Sequence, residues 1–191
     1  MQQYMILVFL VIVCISLIPA QVFAERIVSI EKTLPTEKEK LVKIISDLQV
    51  YPQVLPENIK SSTILNEEEN ISKMTFKFEF ITMDADIKYQ STSPDKIILK
   101  VVSGDLKGTT LTGELTEVEY SQGRIGTNVK TDLDLKISWY LNLVTAFVSD
   151  EHIESMLHAS LNQFSIYANN PQPAKTIEAE PEKSCFLVWC W

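Results

Sequence analysis

Histidines, paired carboxylates and cysteines are the groups with which this sequence can do chemistry, and each is scarce or awkwardly placed. The two histidines, His152 and His158, are six residues apart. On a helix that spacing separates them by about 120° around the axis. Metal ligands at i, i+4 share a face; these do not, and both fall off the apolar stripe of their segment. They read as surface residues, with a proton-transfer or ligand pair as the alternative. Asp84/Asp86 and Asp132/Asp134 each point to one side of a strand, as carboxylates that bind a cation or work as acid and base would. Asp132/Asp134 sit beside Lys130 and Lys136 on a polar face, so a solvated charge pattern is the simpler reading there. For Asp84/Asp86 the choice is between a turn or surface pair and a site. Cys14, Cys185 and Cys190 all lie near the chain ends, which leaves the centre without a thiol nucleophile or thiolate metal ligand. No Gly-rich phosphate loop and no HExxH helix is present. No catalytic residue, metal site or cofactor is expected.

The elements of the central segment frame these residues. Ile27, Val28 and Ile30 mark a first strand, roughly 26–34. Thr36-Glu37-Lys38-Glu39 after Pro35 resembles a capping box. Leu41, Ile44, Ile45 and Leu48 then predict an amphipathic helix over 36–48. Pro52 and Pro56 bracket a second, shorter helical turn. From about residue 59 the apolar period becomes two. Phe76, Phe78 and Phe80 alternate with Lys77 and Glu79, and Ile87 and Tyr89 flank Lys88. Ser93-Pro94-Asp95 is a turn before a strand at Lys96–Val102, and Ser121-Gln122-Gly123 is a hairpin turn. In the last strand Ile125, Val129, Leu133, Leu135 and Ile137 share a dry face with Thr127 and Thr131, while Arg124, Asn128, Lys130, Asp132, Asp134 and Lys136 share a wet one. That is the pattern of an antiparallel sheet covered on one side. Ser149-Asp150-Glu151 opens a helix with acidic residues at its positive end. Ile153, Met156, Leu157, Ser160, Leu161 and Phe164 follow on one stripe, ending near Ala168. The fold class is therefore α+β: a curved antiparallel sheet of six to seven strands wrapped around a long C-terminal helix, with two short helices after the first strand. A strongly curved sheet cannot lie flat on one helix, so a gap that can serve as an apolar pocket remains between them.

The chain divides unevenly. Its 191 residues are 46% hydrophobic, but much of that sits at the ends. Residues 5–18, MILVFLVIVCISLI, are apolar apart from Ser16, and Val22-Phe23-Ala24 suits signal-peptidase cleavage after Ala24. The run is short for a full span, and MQQY before it lacks the usual Lys or Arg. Residues 1–24 thus read as an export signal or an uncleaved anchor. Residues 25–168 form the folded domain, 169–184 a Pro-rich, charged linker, and 185–191 (CFLVWCW) an apolar tail. That tail is disordered, or dips into a bilayer interface, or closes a disulfide between Cys185 and Cys190. Asn70-Ile71-Ser72 is a glycosylation sequon if the chain is exported. The net charge of −8 argues against broad phosphate-backbone binding, so no nucleic-acid partner is expected. It also argues against an electrostatic hold on anionic lipid. Membrane contact would then come through the N-terminal segment, the C-terminal tail or the cavity mouth.

The stretch Asp47-Leu-Gln-Val-Tyr51-Pro52-Gln-Val-Leu55-Pro56 resembles the D-x-x-x-Y-P-x-F-L-P run of the START-like (SRPBCC, helix-grip) superfamily, in its polyketide cyclase/dehydrase and coenzyme Q-binding-type branch. Val54 stands where that branch usually has an aromatic. Val101-Val-Ser-Gly104-Asp-Leu-Lys-Gly108 resembles the branch's strand-turn-strand step. The resemblance covers about residues 26–168. It implies a helix-grip fold with a cavity for a hydrophobic small molecule. Tyr51, Phe76, Phe78, Phe80, Tyr89, Leu133, Leu135, Ile153, Leu157 and Leu161 are the candidate lining. The export segment and tail are unusual for the family, so a cytosolic or mitochondrial role does not carry over. The expected function is non-catalytic binding or carriage of a lipid, quinone or isoprenoid outside the cytoplasmic membrane. The alternatives are a cyclase/aromatase-like enzyme using the same cavity and an adaptor with a filled core.

Overall fold

The computed structural model describes residues 24–78, 81–137 and 149–171, without the side chains of residues 24, 25, 78, 122 and 137. Residues 1–23, expected to be an export signal or anchor, Phe80, and residues 172–191, expected to be linker and apolar tail, lie outside the described residues.

Strand β1 (Ala24–Leu34) leads into helix α1 (Lys38–Ser46), a tight turn at Leu48–Val50 and the single-turn helix α2 (Tyr51–Val54). Six strands follow: β2 (Ile59–Asn66), β3 (Ile71–Phe78), β4 (Ile81–Ser93), β5 (Lys96–Gly104), β6 (Thr110–Tyr120) and β7 (Arg124–Ile137). Helix α3 (Asp150–Asn169) closes the order. The strands form one antiparallel sheet in the order β1-β7-β6-β5-β4-β3-β2. The meander from β2 to β7 needs only hairpin turns. The excursion through α1 and α2 carries the chain from β1 at one edge to β2 at the other.

Helix α1 is shorter than the 36–48 expected from its apolar spacing, and it has no capping box. Glu37 is the N-cap and makes no side-chain cap. The Thr36 hydroxyl lies instead 2.6 Å from the Ser165 hydroxyl of α3. A tertiary partner has outcompeted the local cap. At the other end Asp47 accepts a hydrogen bond from the Gln49 N–H (3.1 Å) and so starts the next turn.

The core sits where α1, α2 and the end of α3 press on the concave face. Leu34, Leu41, Leu48, Tyr51, Val54, Ile59, Met74, Ile87, Ile97, Leu115, Val129 and Phe164 are buried together. In β7, Thr127, Val129 and Thr131 are buried as the alternation predicted. Ile125 is not: it is 59% exposed. It has the right parity but lies beside the β6–β7 turn, where its ladder partner is Glu119.

Two glycines are fixed by close approach. A Cβ on Gly104 (φ +91°) would lie 2.2 Å from the Asp84 carbonyl oxygen, where β5 crosses an irregularity against β4. A Cβ on Gly126 would lie 2.6 Å from the Leu34 carbonyl oxygen. Any other residue at either position would push two strands apart.

Candidate functional site

The cross-strand register assembles the site. On the concave face Tyr89 pairs with Leu99, Leu99 with Leu111, Leu111 with Leu133, and Leu133 with Val28. One apolar row therefore crosses β4, β5, β6, β7 and β1. Its members Tyr89, Leu99, Leu111 and Leu133 are only half-buried. The adjacent row through Ile97, Gly113, Thr131 and Ile30 is buried. The half-buried stretch from Tyr89 to Leu133 thus lies between buried ranks, since Val28 at its β1 end and Ile87 and Val101 beyond it are buried as well.

Helix α3 packs along β1, at one edge of this row. Arg26 forms an ion pair with Asp150 at the helix start, and Lys32 Nζ donates to the His158 carbonyl (3.2 Å). These contacts lay the first half of α3 along β1, the strand whose ladder neighbours are Leu135 and Leu133. Ile153, Met156 and Leu157 in that half are half-buried, whereas Phe164, Ser165 and Ala168 in the second half are buried. The helix is seated at its C-terminal end and only partly seated at its N-terminal end.

The seated end is held by polar groups. The Thr127 hydroxyl, fully buried, donates to the Thr36 carbonyl (2.6 Å). Asn169 Nδ2 donates to the Thr36 hydroxyl (2.9 Å) and to the Pro35 carbonyl (3.1 Å). With the Thr36–Ser165 contact this ties the β1–α1 turn to both β7 and α3. Every member is a hydroxyl, amide or carbonyl, so the network orders the backbone and offers no group that titrates near neutral pH.

The predicted lining residues divide accordingly. Tyr51 belongs to the closed core: it is 5% exposed, stacks edge-on against Phe164 with centroids 5.0 Å apart, and donates its hydroxyl to the Ile45 carbonyl (2.7 Å). Burial, reinforced by Tyr89 and Asp47, pushes its phenol well above the ordinary 10.0. Phe76, Tyr89 and Leu161 are half-buried against the core. Leu133, Leu135, Ile153 and Leu157 are half-buried. Phe78 pairs with Ile81 through its backbone, but its side chain and the whole of Phe80 lie outside the described residues. Leu99 and Leu111 were missed as site residues. Each shows in the sequence as one apolar position in an alternating strand, and only the register reveals them as neighbours of Tyr89 and Leu133.

The groups considered for chemistry are placed as follows. Asp84 accepts from the Thr75 hydroxyl (2.8 Å) and pairs with Lys73 (3.1 Å). The hydroxyl, then the ammonium, hold its carboxyl below the usual 3.8. Asp86 faces Lys73 across the ladder. Asp132 accepts from the Ser29 hydroxyl (2.6 Å), and Asp134 lies 3.0 Å from Lys136. His152 is exposed and His158 half-buried. Among the described residues no three His, Cys, Asp or Glu side chains are grouped to hold a metal ion. No helix among them is long and apolar enough to cross a membrane.

A separate cleft of about 210 Å³ opens at the far end of the sheet, between the end of α1 and the β2–β3 turn. Ser46, Asp47, Gln49, Asn66, Glu67 and Asn70 give it a polar wall, and of the predicted lining it contains Tyr89 alone. It is smaller than the roughly 300–1,000 Å³ of typical ligand pockets, and Leu48, Ile64 and Ile71 complete its lining with Tyr89.

A seven-stranded antiparallel sheet that curls over a C-terminal helix, with two short helices after its first strand, is a helix-grip architecture. Solved structures share it. A START superfamily protein from Mycobacterium smegmatis superimposes with a TM-score of 0.55 at 16% identity, over 73% of this chain and 92% of that one. A protein from Thermus thermophilus gives 0.57 at 16% identity, over 75% and 99%. The protein Ara h 8.0201 gives 0.52 at 15% identity, over 76% and 99%. At such identities the likeness is one of fold. No protein-family model and no curated protein matches the sequence. The chain has the START-like helix-grip fold.

Proposed function

We propose that this protein binds and carries a hydrophobic small molecule between the concave sheet and the first half of α3. The observation that carries the reading is the half-buried row Tyr89–Leu99–Leu111–Leu133, with Ile153 and Leu157 on the helix that packs along β1 at its edge. An apolar surface inside a fold is left half-covered at a free-energy cost of about 25 cal/mol per Å². A guest that completes the burial recovers that energy. The ligand class is a lipid, quinone or isoprenoid, in keeping with an apolar lining and with the branch that the Asp47–Pro56 stretch resembles. Carriage takes place outside the cytoplasmic membrane, a reading supported by the apolar run 5–18 and the Val22-Phe23-Ala24 site.

Native mass spectrometry after mild purification, together with displacement of an apolar fluorescent probe by phospholipid and by a quinone, tests this. A co-purified apolar mass and saturable displacement are expected. An empty protein that takes up neither probe, phospholipid nor quinone overturns the reading.

A further inference from the structure

We infer that the guest is an amphiphile with a cationic head. Its apolar body lies along the row from Tyr89 to Leu133, and its head sits in the cleft between α1 and the β2–β3 turn. This rests on the ligand reading above and adds the place and the charge of the head.

Tyr89 joins the two spaces. It begins the half-buried row and also lines the cleft. Its N–H donates to the carbonyl of Asn70 (3.0 Å), another residue of the cleft wall. A guest lying along the row therefore runs into the cleft. The other end of the row closes on Val28, which is buried, so a polar head has its place at the Tyr89 end. Neighbouring strands are about 4.8 Å apart, so the row from β4 to β7 is about 14 Å long. An extended dodecyl chain matches that length. The cleft, at about 210 Å³, is too small for a whole ligand of ordinary size. It suits a head and the first carbons of its chain, with Leu48, Ile64 and Ile71 as their apolar wall.

Hydrogen bonding within the protein leaves acceptors for that head. Gln49 Nε2 donates to the Ser72 hydroxyl (3.2 Å) and to the Ser62 hydroxyl (3.4 Å). Ser72 is itself buried. The amide is thus held by its nitrogen, and its carbonyl oxygen has no protein partner among the described residues. Asp47 and Glu67 are the charged residues of the wall. Asp47 accepts from the Gln49 N–H (3.1 Å), and neither carboxylate forms an ion pair among the described residues. Glu69, in the same turn, is by contrast paired with Lys88 (3.2 Å). An ammonium has three donors and no acceptor, so it matches two carboxylates and an amide oxygen. A carboxylate or phosphate head would meet like charge, with no lysine or arginine in the wall to offset its desolvation.

The test is displacement of an apolar fluorescent probe from the full chain at neutral pH by three guests with one tail: dodecylamine, dodecanol and dodecanoate. Dodecylamine, an ammonium at that pH, is expected to displace the probe at least about tenfold more strongly than dodecanoate. Asp47→Asn combined with Glu67→Gln is expected to bring the two within about threefold of each other by weakening dodecylamine. Both changes keep the side chain's shape, and Asp47→Asn keeps an acceptor for the Gln49 N–H. Glu117→Gln combined with Glu119→Gln, at exposed positions outside the cleft, removes the same charge. That pair is expected to leave the preference intact, which separates the cleft from the acidity of the whole chain. Dodecanol uptake shows that each variant is folded and binds. With dodecanol still bound, three results overturn the inference: no preference for the amine, a preference that survives loss of the Asp47 and Glu67 carboxylates, or one that Glu117→Gln with Glu119→Gln also abolishes. If the parent takes up neither the probe nor dodecanol, the ligand reading itself falls, and this inference with it.

Discussion

Tyr51 brings a polar atom into the core and satisfies it with one bond, to the Ile45 carbonyl. Tyr51→Phe removes the donor and leaves that carbonyl without this partner. It is expected to lower stability by about 1 kcal/mol, read as a shift in the urea midpoint. The variant also carries a pH signature. The phenol's folded pKa is raised by burial above its ordinary 10.0, so below pH 10 the folded and unfolded states are both protonated and Tyr51 adds no pH dependence. Above pH 10 the unfolded state releases the proton first, and stability falls as pH rises. Urea midpoints between pH 8 and 11 should decline for the parent and decline less for Tyr51→Phe. Gly104→Ala is a harsher change. Its Cβ meets the Asp84 carbonyl oxygen and its φ is unfavourable for an L side chain, so a loss of more than about 2 kcal/mol is expected in the same assay.

At the scale of the element, α3 has two differently held halves. The C-terminal half packs Phe164, Ser165 and Ala168 into the core and is joined to the β1–α1 turn through Thr36 and Asn169. Thr127→Val keeps the shape and deletes the hydroxyl that satisfies the Thr36 carbonyl. A loss of about 1–3 kcal/mol follows from leaving a buried acceptor unpaired, with thermal unfolding as the measurement and Thr127→Ser restoring most of the loss. The sequence showed the helix, its start at Ser149 and its stripe. It did not show Ser165, which lies one position off that stripe and is buried only because Thr36 arrives opposite it from 129 residues away.

For the molecule as a whole, the decisive feature is one incompletely closed rank of the concave face. Tyr89, Leu99, Leu111 and Leu133 are half-buried, between a rank that buries Ile97 and one that buries Ile87 and Val101. Leu111→Asn and Leu133→Asn each replace a half-buried member of the open rank. Because neither side chain is fully packed, each is expected to change stability by about 1 kcal/mol or less. Each should weaken displacement of an apolar probe roughly tenfold, the equivalent of about 1.4 kcal/mol of lost apolar contact. A variant with unchanged probe affinity would place the guest elsewhere.

Local pattern determined much of this protein. Period-two alternation, Gly104 and the Pro-bounded turns fixed the strands and their connections, and the 3.6-residue stripe fixed α3, because burial of one face imposes those periods whatever the partner is. The same logic put Tyr51 beside a core, although its true partners, Phe164 and the Ile45 carbonyl, could not be read from spacing. What only the tertiary structure decided is which apolar residues are closed over and which are not. Ile97 and Leu99 look alike in an alternating strand, two residues apart on the same face, yet Ile97 is buried and Leu99 half-buried. The difference depends on which parts of the sheet α1, α2 and α3 reach, since Val101, two residues further on, is buried again. That reach is set by contacts such as Thr36–Ser165 and Arg26–Asp150 between residues more than a hundred positions apart, which no local period encodes.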